Sequence, residues 1–234
     1  MAPFVIAKTD MTQLPPPESI LAEGELAVYA RFKIEKRKTD WLAGRAAAKL
    51  AVQKALDLRF CQPKDISIIP DINGRPHAYI KGVKAAMDIS ITHSGKTALC
   101  AAGAQCLGID LEKAEPRSRA WAEFAFRGEE LADLSPKPLT ALWALKEAVL
   151  KAAGLGLKAA LNDIRFTSAP EDLKTLPVIA DSELENFCAL GKPIKSPEIT
   201  GGLADRPELA GRIKKLSYMA AATESGFILA AAWS

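Results

Sequence analysis

The chain has 234 residues, 49% hydrophobic and 25% charged, with 31 Lys and Arg against 28 Asp and Glu for a net charge of +3. A chain of this size and balance can bury a substantial core, as one domain or as two smaller ones. It lacks both the strong positive charge of a nucleic-acid binder and any apolar run of the roughly 18–20 residues that a membrane span needs.

Taken in chain order, Met1-Ala-Pro-Phe-Val-Ile-Ala-Lys8 turns polar too soon for a signal peptide. Positive charge then gathers at Arg31, Lys33, Lys36, Arg37, Lys38 and Arg45; by itself such a run also suits a solvated helix face. A helix is expected over 41–58, with Trp41, Leu42, Ala46, Leu50 and Leu56 as its apolar positions. Ile66–Ile69 reads as a short strand closed by the turn Asp71-Ile72-Asn73-Gly74-Arg75-Pro76. Three β segments follow at 87–92, 97–102 and 106–111, broken by Ser94-Gly95 and Gly103-Ala104-Gln105, as a meander ending in Asp110 and Glu112. Charge at Glu112, Lys113 and Glu115 and the breaker Pro116 suggest a linker, which divides the chain into halves 1–115 and 116–234. A helix is expected at 119–132 and, after Ser135-Pro136-Lys137-Pro138, another at 139–153 that Gly154 is placed to stop. Residues 170–211, rich in Pro, Gly and charge, read as loops or an insertion, and 214–222 with 227–233 as a closing hairpin. Cys61, Cys100, Cys106 and Cys188 have no metal-ligand spacing and are expected to be buried thiols in a reducing cytoplasm.

Two of these segments carry chemistry. On a strand, Asp110 and Glu112 lie two apart and share a face. On the helix with Leu142, Leu145, Ala148, Val149 and Ala152 at apolar spacing, Glu147 and Lys151 lie four apart and share a face too, whereas Lys146 points about 100° away. Alone, each pair also suits a solvated edge or a surface ion pair worth roughly 0.2–0.5 kcal/mol. Together they offer three carboxylates for a hard cation such as magnesium and an ammonium for a phosphate.

Asn73-Gly74-Arg75-Pro76, Thr92-His93-Ser94-Gly95, Gly108-Ile109-Asp110-Leu111-Glu112 and the run from Trp143 to Leu157, with Trp41-Leu42-Ala43-Gly44-Arg45 before them, resemble the motifs of the 4′-phosphopantetheinyl transferase superfamily. The resemblance is to its larger, Sfp-type branch and covers about residues 31–166. Thr92 stands where that family usually has Ser and keeps the hydroxyl.

The resemblance implies an α+β fold of two similar α/β halves related by a pseudo-twofold axis, with the active site between them. It implies magnesium-dependent transfer of the 4′-phosphopantetheine arm of coenzyme A to a serine of an apo acyl or peptidyl carrier protein, releasing 3′,5′-ADP. Asp110, Glu112 and Glu147 become the expected metal ligands. Lys151 becomes a catalytic phosphate contact, and Arg75, Thr92, His93 and Ser94 become coenzyme contacts. Arg37, Lys38 and Arg45 are alternatives for the 3′-phosphate. Glu130 falls where related enzymes have a glutamate proposed as the base for the acceptor serine. The acceptor is expected to dock across 117–135, with Arg127 in contact and Trp121, Phe124 and Phe126 either in contact or in the core. A monomer is expected, without nucleic-acid or membrane partners. No G-x-x-x-x-G-K-[S/T] or G-x-G-x-x-G segment supports another nucleotide enzyme. The non-enzymatic alternative is a carrier-binding relative that has lost catalysis, which need not couple metal binding to coenzyme A.

Overall fold

The computed structural model describes residues 2–103, 106–156, 159–167 and 169–234, and the chain divides into two compact units, Met1–Gln105 and Cys106–Ser234. Leu157, which closes the long motif, and Ala104-Gln105 lie outside the described residues.

The first unit begins with β1 (Phe4–Asp10), two short helices α1 (Pro17–Ile20) and α2 (Glu23–Tyr29), and the long helix α3 (Glu35–Ala55). β2 (Ile66–Pro70), β3 (Pro76–Ile80) and β4 (Val83–Lys84) then form one antiparallel sheet. β5 (Asp88–Ser94) and β6 (Thr97–Gly103) join β1 in a second, in the order β1-β6-β5. The helix starts before Trp41 because the charged stretch ahead of it is itself helix-forming, with Glu35 in the first turn where the helix dipole favours an anion. Ala43, Ala47, Ala48, Ala51 and Val52 form its buried stripe and share a core with Ile66, Ile68, Ile89, Ala98 and Cys100. Small residues let α3 sit low on the sheet: a Cβ at Gly44 would lie 3.1 Å from the Ile91 side chain. Glu25, 5% exposed, accepts from Lys49 Nζ (2.5 Å), Ile68 N (3.0 Å) and Ala22 N (3.0 Å), and so fastens α2 to α3 and β2.

The second unit opens with β7 (Gly108–Lys113), α4 (Arg119–Ala125) and α5 (Pro136–Ala153). Short elements follow: β8 (Ile164–Arg165), α6 (Ala169–Lys174), β9 (Val178–Ile179), α7 (Phe187–Leu190), β10 (Lys192–Ile194), β11 (Glu198–Ile199), α8 (Gly201–Ala204) and α9 (Pro207–Lys214). The hairpin β12 (Ser217–Thr223) and β13 (Phe227–Trp233) ends the chain. Its main sheet runs β10-β12-β13-β7, with β9 added alongside β12, and α5 packs on β7 and β13. Leu142, Leu145, Val149 and Ala152 meet Tyr218, Ile228, Ala230 and Ala232 in its core. Each unit by itself therefore lays one long helix on an antiparallel sheet, and the fold is α+β.

Three expectations are corrected. β7 does not continue a meander from β6; it pairs with β13, Asp110 opposite Ala230 and Glu112 opposite Ile228. The almost wholly apolar β13 takes a neighbour on each edge, which draws the acidic strand into the second unit and sets the division before Cys106 rather than at residue 115. Helix α4 stops at Ala125, since Phe126 and Arg127 are extended and Gly128 takes a left-handed φ of 57°, opening a short 3-10 turn, Gly128–Leu131. Stretch 170–211 is more than loop: Leu173, Phe187, Leu203 and Ile213 are buried. There Gly201 is required twice over, by a φ of +55° and by the Asp163 carboxylate, which occupies the space of a Cβ. Among the described residues no helix is long and apolar enough to cross a membrane.

Candidate active site

Strand alternation turns Asp110 and Glu112 to one face of β7, and the helical repeat stacks Trp143, Glu147 and Lys151 as one stripe of α5. What brings the two faces together is Gly108. A Cβ there would overlap the Ala148 carbonyl oxygen and stand 2.5 Å from Ala152 N, so only glycine lets the helix backbone touch the strand. Lys151 Nζ reaches across to Asp110 Oδ1 (2.6 Å) and to the Ile109 carbonyl (3.0 Å). Asp110 keeps 7% of its side-chain surface in water and Lys151 30%, so the ammonium stays at the solvent side of the pair.

Burial, and next the negative charge of Asp110, push the carboxyls of Glu112 and Glu147 above their usual range; Lys151 partly offsets this for both. The Trp143 indole, hydrogen-bonded to Glu112, and the Arg117 cation also favour the Glu112 anion. The tryptophan had been part of the sequence motif without a role; its place four residues before Glu147 was the available signal. Three carboxylates in partial burial, Asp110 repelling each of the other two and Lys151 bonded to Asp110, have the donor chemistry of a site for a hard cation. Among the described residues no three His, Cys, Asp or Glu side chains converge on a common point as a ready-made cage. Magnesium does not require one, since it is usually held by one or two carboxylates together with water and substrate phosphate. The residues fit that mode of binding.

The raised carboxyls have a measurable consequence without metal. A group whose folded pKa lies above its unfolded value contributes stability below the unfolded pKa and loses it as pH rises through the folded one. In EDTA the melting temperature should therefore fall as pH climbs from about 4.5 towards neutrality, Glu147→Gln should melt higher than wild type at pH 7, and added magnesium should narrow that difference. A melting profile for Glu147→Gln equal to that of wild type throughout would refute it.

The proposed coenzyme contacts belong to the first unit. His93 is exposed near the end of β5, Thr92 is buried on the opposite face, and Ser94 is half-buried where β5 turns into β6 through Gly95-Lys96. Gly95 adopts a φ of 59° in that turn. Arg75 is paired with Asp88 (2.7 Å) at the start of β5, whose backbone lies five residues, about 17 Å, before that of His93 along the strand. Arg37 stacks on Phe32 (4.9 Å) and Lys38 pairs with Glu35 (2.8 Å) in the first turns of α3. Arg45 lies over the Trp41 ring (4.3 Å), within 3.6 Å of Glu25, and burial pulls its pKa down. Its Nε is buried with no hydrogen-bond partner.

Glu130 is a correction. Its side chain is fully buried; Oε2 takes Lys146 Nζ (2.8 Å) and Arg127 N (3.2 Å), while Oε1 takes Phe166 N (3.0 Å). A carboxylate so enclosed and engaged is not placed to take a proton from an incoming serine. Its partner Lys146, which also donates to the Ala125 carbonyl, is pulled down to about 8 by desolvation, partly offset by Glu130. Of the aromatics between, Phe126 is core, Trp121 packs on Trp143 (4.9 Å), and Phe124 stands 73% exposed.

The family model of the 4′-phosphopantetheinyl transferase superfamily matches residues 106–193. A holo-[acyl-carrier-protein] synthase of Staphylococcus carnosus is 38% identical over 81 residues, 33% of this chain and 68% of that protein, which is thus roughly 120 residues long. A 4′-phosphopantetheinyl transferase of Bacillus subtilis is 33% identical over 128 residues, 52% of this chain and 54% of that protein, which is thus roughly 240 residues long. The chain spans only about half of the latter's length. A solved holo-(acyl-carrier-protein) synthase of Bacillus anthracis, in complex with CoA (3′,5′-ADP), is 26% identical over 43% of this chain and 93% of that one; its TM-score of 0.37 is too low to argue from.

The chain belongs to the 4′-phosphopantetheinyl transferase superfamily. Its length matches the larger relative and not the smaller, as in the Sfp-type branch.

Proposed function

We propose that the protein transfers the 4′-phosphopantetheine arm of coenzyme A to a serine hydroxyl of an apo acyl or peptidyl carrier protein. The serine oxygen forms a bond to the phosphorus bearing pantetheine, the bond from that phosphorus to the bridging oxygen breaks, 3′,5′-ADP leaves, and the serine proton passes to a base other than Glu130. The observation that carries the reading is the meeting of Asp110, Glu112, Glu147 and Lys151 on β7 and α5 in a chain of this family. Asp110, Glu112 and Glu147 would hold magnesium, which when bound neutralises charge on the pyrophosphate as its P–O bond opens. Lys151, already at the rim of the cluster, would exchange Asp110 for a pyrophosphate oxygen. His93 would contact one phosphate and Arg75 another part of the nucleotide, while Ser94 at the turn and the backbone of Thr92, whose side chain is buried on the other face of β5, would add polar groups beside His93. Arg37, Lys38 and Arg45 stay alternatives for the 3′-phosphate; Arg45 is the one of the three whose charge is turned inward, its Nε paired with Glu25. The reading keeps the expectation of a cytoplasmic monomer.

Incubation with coenzyme A, magnesium and a panel of apo carrier proteins should yield carriers heavier by one phosphopantetheine, and chelation should stop it. A panel left unmodified would defeat the proposal. For the acceptor, exposed Phe124 and the neighbouring Arg127 support docking across 117–135. Phe124→Ser and Arg127→Glu should each raise KM for the carrier on the order of tenfold and leave KM for coenzyme A in place; the Arg127 effect should shrink with salt. An unchanged carrier KM in both would move the docking surface elsewhere.

A further inference from the structure

Among the described residues of the second unit, the pair Glu130–Lys146 is the most deeply buried charge, both side chains wholly out of water, and no step of the transfer uses it. Its bonds reach three segments. Lys146 belongs to α5 and donates to Ala125 O, the last residue of α4, at 3.0 Å, with its ammonium 4.7 Å above the Phe126 ring. Glu130 lies in the 3-10 turn and takes the backbone N–H of Arg127 and that of Phe166, just after β8. An apolar pair of like size would hold a core together as well as a buried ion pair does. What the ion pair adds is direction, because a charge in the core is tolerated only in a geometry that keeps it matched. Lys146 immediately precedes Glu147, and neighbouring helical positions differ by a fixed rotation of about 100°. Locking Lys146 inward therefore locks Glu147 toward β7.

We propose that Glu130 and Lys146 form a buried clamp that sets the rotation of α5, making both positioning residues for Glu147 and for the segment ahead of it that receives the acceptor. This rests on the transferase reading of Glu147. It also gives Glu130 a role that needs no proton transfer.

The test compares Glu130→Gln, Lys146→Met and the double variant. Each single change should lower turnover by on the order of 10- to 100-fold, as for a small misplacement of reacting groups. The double variant should be no worse than the poorer single within about threefold, because the two residues act as one unit. The acid limb of the kcat/KM profile against pH should keep its position in Glu130→Gln. Binding of manganese, followed by electron paramagnetic resonance without any turnover, should weaken in Lys146→Met. Loss of the acid limb in Glu130→Gln, or normal turnover in Lys146→Met beside a dead Glu130→Gln, would overturn the clamp. Unchanged manganese affinity in Lys146→Met overturns it whatever the reaction, whereas a wild-type protein that binds manganese yet modifies no carrier refutes only the transferase reading. If neither single variant folds, hydrogen exchange in the wild type decides: the Arg127 and Phe166 amides should be as slow as the core of α5, and fast exchange at both removes the clamp.

Discussion

Replacing Asp110 by alanine should cut carrier modification on the order of 1000-fold, the loss of one charge-stabilising group from the proposed reaction site. Three effects coincide at this residue: it is one of the carboxylates proposed to hold magnesium, it bonds Lys151, and its charge, after burial, helps push the carboxyls of Glu112 and Glu147 above their usual range. Removing it should bring the two glutamates down towards their ordinary range while taking away one of the carboxylates proposed to hold the metal. The fold should survive, since Lys151 retains the Ile109 carbonyl and open water beside it; the melting temperature should move by only a few degrees. Rates within tenfold of wild type at limiting magnesium would show that Asp110 serves the Lys151 ion pair alone.

Gly108→Ala should be the most damaging single methyl group in the second unit. The added Cβ meets helix backbone at Ala148 and Ala152, which cannot rotate away as a flexible side chain would. We expect a loss of about 3 kcal/mol or more, a fall in melting temperature on the order of 10 °C, and loss of turnover beyond what the unfolded fraction explains, because α5 must lift off β7 and carry Glu147 and Lys151 with it. Gly211→Ala is the matched control: nothing lies within 4 Å of its Cβ, and it sits in α9. It should be neutral or stabilising by up to about 1 kcal/mol. Equal stability of the two variants would show that strand and helix are not in the contact described.

The site was legible where its geometry is local. Alternation placed Asp110 with Glu112, and the four-residue repeat placed Glu147 with Lys151, because one strand and one helix suffice to fix those pairs. Gly154 ends α5 as expected, with the left-handed φ of 69° that a helix stop favours. The partner of β7 was not legible. Its alternation says which face each residue takes but nothing about whether β6, just before it, or β13, more than a hundred residues later, supplies the ladder. Glu130 was misread for a similar reason: a glutamate in a polar turn is ordinarily solvated, and only the fold shows Lys146 and the Phe166 amide closing over it. The shortness of α4 turns on Gly128, which lies inside an otherwise helical pattern and breaks it by its backbone conformation.

The pairing of β7 with β13 also bears on heredity. Asp110, Glu112, Arg117, Glu147 and Lys151 all lie downstream of Cys106, on a stretch that builds its own sheet and core. A genetic crossover just ahead of that residue would pass on the proposed cation-holding carboxylates whole. Apart from Lys151, the residues proposed to meet the coenzyme are encoded upstream, and could then be exchanged or drift to suit another substrate without dismantling it.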